Sequence, residues 1–176
     1  NQDLCIGGAS FVSLTGVVSG TNTITHYGIS GFRFQGVSTY SGTISSELGE
    51  IRADTQGSYN NVSAFNIKNG VLQIVHPTNV NVVGTKPPDL APINLTSGRL
   101  YPENSAFGGT GLNPAFTYTE TVGPVTILAG NNQIGMRAMA TTGSNTLTIA
   151  SLSKPNAATT LQLSVDSVPS GGSQLG

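Results

Sequence analysis

From Ala64 to Val75, apolar and polar side chains alternate with a period of two on either side of Asn69-Gly70. Asn-Gly supplies the two positive-φ residues of a type I′ turn, so a β-hairpin is predicted, with Lys68 opposite Val71, Ile67 opposite Leu72, Asn66 opposite Gln73 and Phe65 opposite Ile74. That register gathers Phe65, Ile67, Leu72 and Ile74 on a core face and leaves Asn66, Lys68 and Gln73 on the other. The same alternation runs through Gly31 to Val37, with Phe32 and Phe34 in phase, and through Ala115 to Thr121, with Phe116 and Tyr118 in phase. Val125 to Ala129 and Gln133 to Ala140 flank Gly130-Asn131-Asn132 and predict a second hairpin. Thr146 to Leu152 and Thr159 to Asp166 are separated by the turn residues Ser153-Lys154-Pro155-Asn156. Shorter strands are expected at Phe11 to Val18, Thr43 to Arg52 and Asn79 to Val83. No window carries a sustained helical period with a cap.

About ten strands at short spacing, with turn residues between them, predict an all-β fold: an antiparallel β-sandwich of jelly-roll type without substantial helix. The length suits one domain over residues 1–168, followed by a Ser/Gly-rich linker or tail at 169–176. No repeat of fixed period stands out along the chain. Between Gly84 and Pro114 the alternation is broken by Pro87-Pro88, Pro92, Pro102, Gly108-Gly109 and Asn113-Pro114, which reads as a long connection and a candidate contact surface.

Composition then narrows the function. Ser, Thr, Asn and Gly make up 78 of the 176 residues, while Asp, Glu, Lys and Arg together supply 15. A typical domain keeps about a quarter of its residues charged, so this surface is wetted by hydroxyls, amides and backbone. The seven cations are scattered and the net charge is −1, which leaves no run of positive charge to neutralise phosphates. Nucleic acid is therefore not an expected partner. No stretch reaches the apolar length of a membrane span, and no basic segment followed by an apolar one opens the chain. Membrane insertion is not expected, and the first residue, Asn1, leaves open a leader already removed. Cys5 stands alone, so an internal disulfide is excluded, and a buried position or a bridge to another chain is expected.

The catalytic inventory is thin. His26 and His76 are the only histidines, both expected at strand ends, and no three-histidine metal site can be built. No Gly-x-Ser-x-Gly elbow, P-loop or spaced calcium loop occurs, and Gly108-Gly109-Thr110-Gly111 lacks the strand-to-helix setting of a dinucleotide site. No cofactor or metal is expected. Glu47 and Glu50, near Asp54 and Arg52, are the one dense acidic group and the only basis for a glycoside hydrolase. The loop from Asp54 to Asn61 offers a different chemistry: Asp54, Gln56, Tyr59, Asn60 and Asn61 form a candidate ligand site, with amides and an acid for sugar hydroxyls and Tyr59 for an apolar ring face. Asn61-Val62-Ser63 and Asn94-Leu95-Thr96 are glycosylation sequons, relevant on a secretory route.

The composition resembles, in a general way, that of capsid jelly rolls, fibre heads and fimbrial modules. Together these features predict a non-enzymatic, surface-displayed module: a self-assembling subunit of a virion capsid, spike or fibre, or of an extracellular appendage. Its expected partners are copies of itself or other structural subunits, and its expected location is extracellular, at a cell surface or in a virion. A lectin-like adhesin domain that binds a cell-surface glycan or receptor is the alternative.

Overall fold

Leu4, Ile24, Ile44, Phe65, Ile93, Val125 and Leu152 stand one above another in a single column, each in parallel register with the next. The chain is a parallel β-solenoid, and the computed structural model describes residues 3–36, 38–53, 59–76, 82–84, 89–104, 118–138 and 145–167. Seven rungs follow in order. The first three have two strands each: β1 (Leu4–Ile6) and β2 (Val12–Leu14), β3 (Ile24–His26) and β4 (Gly31–Phe34), β5 (Thr43–Ser46) and β6 (Gly49–Ala53). The next three add a third strand: β7 (Ala64–Lys68), β8 (Gly70–His76) and β9 (Val82–Gly84); β10 (Ile93–Thr96), β11 (Arg99–Asn104) and β12 (Tyr118–Val122); β13 (Val125–Ala129), β14 (Asn131–Ala138) and β15 (Asn145–Ile149). β16 (Leu152–Ser153) and β17 (Thr160–Ser167) close the stack. First strands form one seven-stranded sheet, second strands another, and β9, β12 and β15 a three-stranded third.

The all-β expectation holds and no helix is present among the described residues. The antiparallel β-sandwich of jelly-roll type does not: every ladder between named strands is parallel. Strict alternation marks a sheet with one wet face, a property usually confined to antiparallel sheets because helices cover both faces of most parallel ones. A solenoid is the exception. Each parallel sheet turns one face to the shared interior and the other to solvent, with no crossover helix, because one circuit of the coil brings the chain back beside itself.

Both predicted hairpins are corrected on the same ground. Phe65, Ile67, Leu72 and Ile74 are indeed all buried, but β7 and β8 belong to different sheets and pair with other rungs rather than with each other. Asn69 alone takes a positive φ of 50°, which turns the chain from one sheet into the next. β13 and β14 part in the same way at Gly130, whose φ is 71°. Ser97 and Gly49 serve two further corners, with φ of 50° and 79°. At Gly70 the stack is tight: a Cβ there would come within 2.5 Å of the Gly49 carbonyl oxygen on the rung before.

The stretch from 84 to 114, read as a connection, contains β10 and β11, whose Ile93, Leu95 and Leu100 are wholly buried. Pro92 lies just before β10, where its missing N–H costs nothing, and Pro102 lies where the ladder from β11 to β14 is interrupted. Residues 85–88 and 105–114 of that stretch, and the tail at 169–176, lie outside the described residues.

Inside the coil, β-branched and leucine columns are joined by an aromatic cluster. Phe34 packs edge-on against Phe32 with centroids 5.2 Å apart, and Tyr59 lies 4.8 Å from Phe34 and 5.8 Å from Phe65. Such pairs each add about 0.5–1.5 kcal/mol beyond the area they bury. Tyr40 closes the cluster, 5.9 Å from Phe34, with its hydroxyl aimed at the carbonyls of Asn22 and Thr43. Burial, with Asp3 adding to it, pushes the Tyr40 hydroxyl pKa up to about 12.

Candidate functional site

Alternation gives each of the two seven-stranded sheets an outward face, and the two faces differ in chemistry. On the first sheet the row runs Cys5, Thr25, Ser45, Asn66, Asn94, Thr126 and Ser153. Stacked equivalents lie about 4.8 Å apart, so like charges there would repel across every rung, whereas neutral polar groups can hydrogen-bond to their neighbours. They do so: Asn94 Nδ2 donates to Asn66 Oδ1 at 2.9 Å, and Ser153 Oγ lies 3.3 Å from Thr126 Oγ1. The stacking of this fold is thus a physical reason for the sparse charge of the composition.

The outward face of the second sheet holds charge and amides instead. Glu50, Val71, Arg99, Gln133 and Gln162 form one row, and Ser13, Arg33, Arg52, Gln73 and Tyr101 another beside it. Arg33 Nε donates to Ser13 Oγ at 2.7 Å, and its guanidinium sits 5.0 Å from the Phe11 ring centroid. Arg52 lies 3.8 Å from Glu50, Gln73 Nε2 donates to Glu103, and Gln133 Nε2 donates to Ser164 Oγ at 2.8 Å. Two open depressions line this face. One, of about 490 Å³, is bordered by Ser30, Glu50, Asn69 and Arg99; the other, of about 450 Å³, by Gln73, Tyr101, Gln133 and Gln162. Glu50, Val71 and Arg99 border both.

The residues singled out from the sequence are placed as follows. Asp54 and Gln56 lie outside the described residues. Tyr59 is 1% exposed, its hydroxyl donating to the Arg52 carbonyl at 2.8 Å, so its ring belongs to the core and does not present a face to a ligand. Asn60 and Asn61 are exposed at the turn that follows. Asn61 therefore leaves its sequon accessible, while Asn94 stands within the amide row of the first sheet. Glu47 pairs with Lys68 at 2.7 Å, which holds the lysine pKa above its ordinary value, and Glu50 faces Arg52. Cys5 is exposed, not buried, because it stands in the outward row of the first sheet on the edge strand β1. Among those residues no group of three or more His, Cys, Asp and Glu is arranged to hold a metal ion.

The outward rows on both seven-stranded sheets and the two ends of the coil were not foreseen from the sequence. At the first rung Leu4 is 49% exposed; at the last, Leu163 is 70% exposed and Val165 64%. In register these residues lie over core positions, Leu4 over Ile24 and Leu163 over Ile134. They belong to core columns with no further rung over them among the described residues. Comparison of the chain with protein-family models, with curated proteins and with solved structures finds no match.

Proposed function

We propose that this chain is a structural, non-enzymatic solenoid subunit of a virion or extracellular appendage, which assembles by stacking its terminal rungs on neighbouring β-structure, including further copies of itself. The observation that carries the reading is the pair of open ends. β1 and β2 at one end, and β16 and β17 at the other, are edge strands among the described residues, with Leu4, Leu152, Leu163 and Val165 exposed around them. Unpaired strand edges are templates for a further strand. Because all strands run parallel, the last rung of one copy presents a ladder of the same polarity that the first rung of another requires. Such a head-to-tail contact does not close on itself and generates filaments or rings. The neutral exterior supports the reading as well, since close-packed copies bury few ions.

Light scattering and electron microscopy over a range of protein concentrations test this. The wild-type chain is expected to form linear or ring assemblies, and Leu4→Lys and Leu163→Lys, each placing a charge at one open end, are expected to reduce them while leaving the far-ultraviolet β signature unchanged. A strictly monomeric wild-type chain at high concentration would rule the proposal out.

A further inference from the structure

We infer that the outward face of the second sheet is a binding strip for an acidic oligosaccharide lying along the coil axis, with Arg99 as the anchor for a sugar carboxylate. This inference is independent of the assembly reading, since it concerns the side of the coil and not its ends. Arg99 is exposed, sits where the two depressions meet, and makes no side-chain ion pair or hydrogen bond among the described residues. The neighbouring cations are engaged: Arg52 faces Glu50, and Arg33 is held by Ser13 and Phe11. A guanidinium left open between two depressions suits a planar, bidentate carboxylate.

The groups around it suit hydroxyls. Gln133 and Gln162 stand on successive rungs beside Arg99, and Gln73 Oε1 has no hydrogen-bond partner among the described residues, leaving an acceptor for a donor that enters the depression. Tyr101 supplies an apolar surface. Its ring leans over Gly135 on the next rung, where a Cβ would come within 2.8 Å of Tyr101 Cε2, so the glycine is what lets the ring lie there. Side chains repeat along the axis at about 4.8 Å, a spacing comparable to one pyranose unit, and the open, elongated shape fits a polymer better than an enclosed metabolite. A nucleic acid would need a cation for each of several phosphates, and this strip offers one uncommitted.

Isothermal titration with a homogalacturonan hexamer, and with a cellulose hexamer as the neutral counterpart, tests the assignment on the intact chain. The acidic hexamer is expected to bind, and Arg99→Ala to weaken it about tenfold or more, as loss of a charge-assisted bidentate contact implies. Gln162→Ala, at an exposed position, is expected to weaken it by a smaller factor, and both variants to melt with the wild type. Absence of binding by the acidic hexamer, equal binding of the neutral one, or an Arg99→Ala variant that binds like wild type would overturn the inference.

Discussion

His26 occupies an inward column, in register between Ile6 and Ser46, and is 1% exposed. An imidazole placed there must stay neutral and must find a partner, and the Leu48 carbonyl supplies one: it lies 3.1 Å from His26 Nδ1 and also accepts from Ser46 Oγ at 2.9 Å. A carbonyl can only accept, so Nδ1 carries the proton and Nε2 is bare. The ring stacks on Phe32 at 6.2 Å, and burial lowers its pKa below the ordinary value of 6.5. The sign of the pH effect follows. As pH falls below about 6.5 the unfolded chain takes up a proton that the folded chain refuses, so the unfolded state binds more protons and stability declines with acidification. The urea midpoint is expected to drop between about pH 7.5 and about pH 5.5, and the drop to shrink in His26→Gln, whose amide can still donate to Leu48. An identical pH slope in that variant would remove His26 as its source.

Corners decide which strands are neighbours, and Asn132 shows what holds one together. Its side chain, 3% exposed, accepts from the Gly98 N–H at 3.0 Å and directs Nδ2 at the carbonyls of Ala129, Gly130 and Thr160 at 2.9, 3.0 and 3.4 Å. One amide thus ties the last three rungs where the backbone bends away from its ladders. Asn132→Ala leaves the buried Gly98 N–H without its acceptor, at about 1–3 kcal/mol, while the Ala129 and Gly130 carbonyls keep the backbone N–H groups of Ser97 and Thr160. A fall in the denaturation midpoint with unchanged slope is expected, and Asn132→Asp should not recover it near neutral pH, since it sets a buried carboxylate oxygen against three carbonyl oxygens. The neighbouring sequence was legible at this scale only in part. Alternation correctly identified the inward faces around Asn69-Gly70, but a turn dipeptide reports a local bend and not the partner of the strands it joins. That partner lies one rung away, twenty residues in the first circuits, where Gly8 and Gly28, Val12 and Phe32, Leu14 and Phe34, and Gly16 and Gly36 recur. The recurrence goes undetected because later rungs lengthen to hold β9, β12 and β15 and break the period. The strip on the second sheet was illegible for a related reason: Glu50, Gln73, Arg99, Gln133 and Gln162 come from five rungs and form no local motif.

A molecule built by stacking has a graded stability, because each rung is held only by the rungs above and below it. The interior rungs, from β5 to β11, carry most of the wholly buried side chains, including Ile44, Ile51, Phe65, Leu72 and Leu95. Among the described residues the first rung has a neighbour on one side only, and its Leu4, Val12 and Leu14 are at best half-buried. Local opening should therefore cost least there, and amide hydrogen exchange is expected to be slowest in β5 to β8 and fastest in β1 and β2. Uniform protection along the coil would contradict a nearest-neighbour architecture. The same measurement joins this gradient to assembly. If a second copy completes the first rung, protection of the Leu4–Ile6 and Val12–Leu14 amides should rise with protein concentration while that of β5 to β8 stays constant, since only the end gains a neighbour. In Leu4→Lys the rise should vanish and the interior protection should persist. Apolar and backbone contacts carry the end, so added salt should leave the rise intact, whereas a carboxylate held by Arg99 on the side of the coil should be released by it.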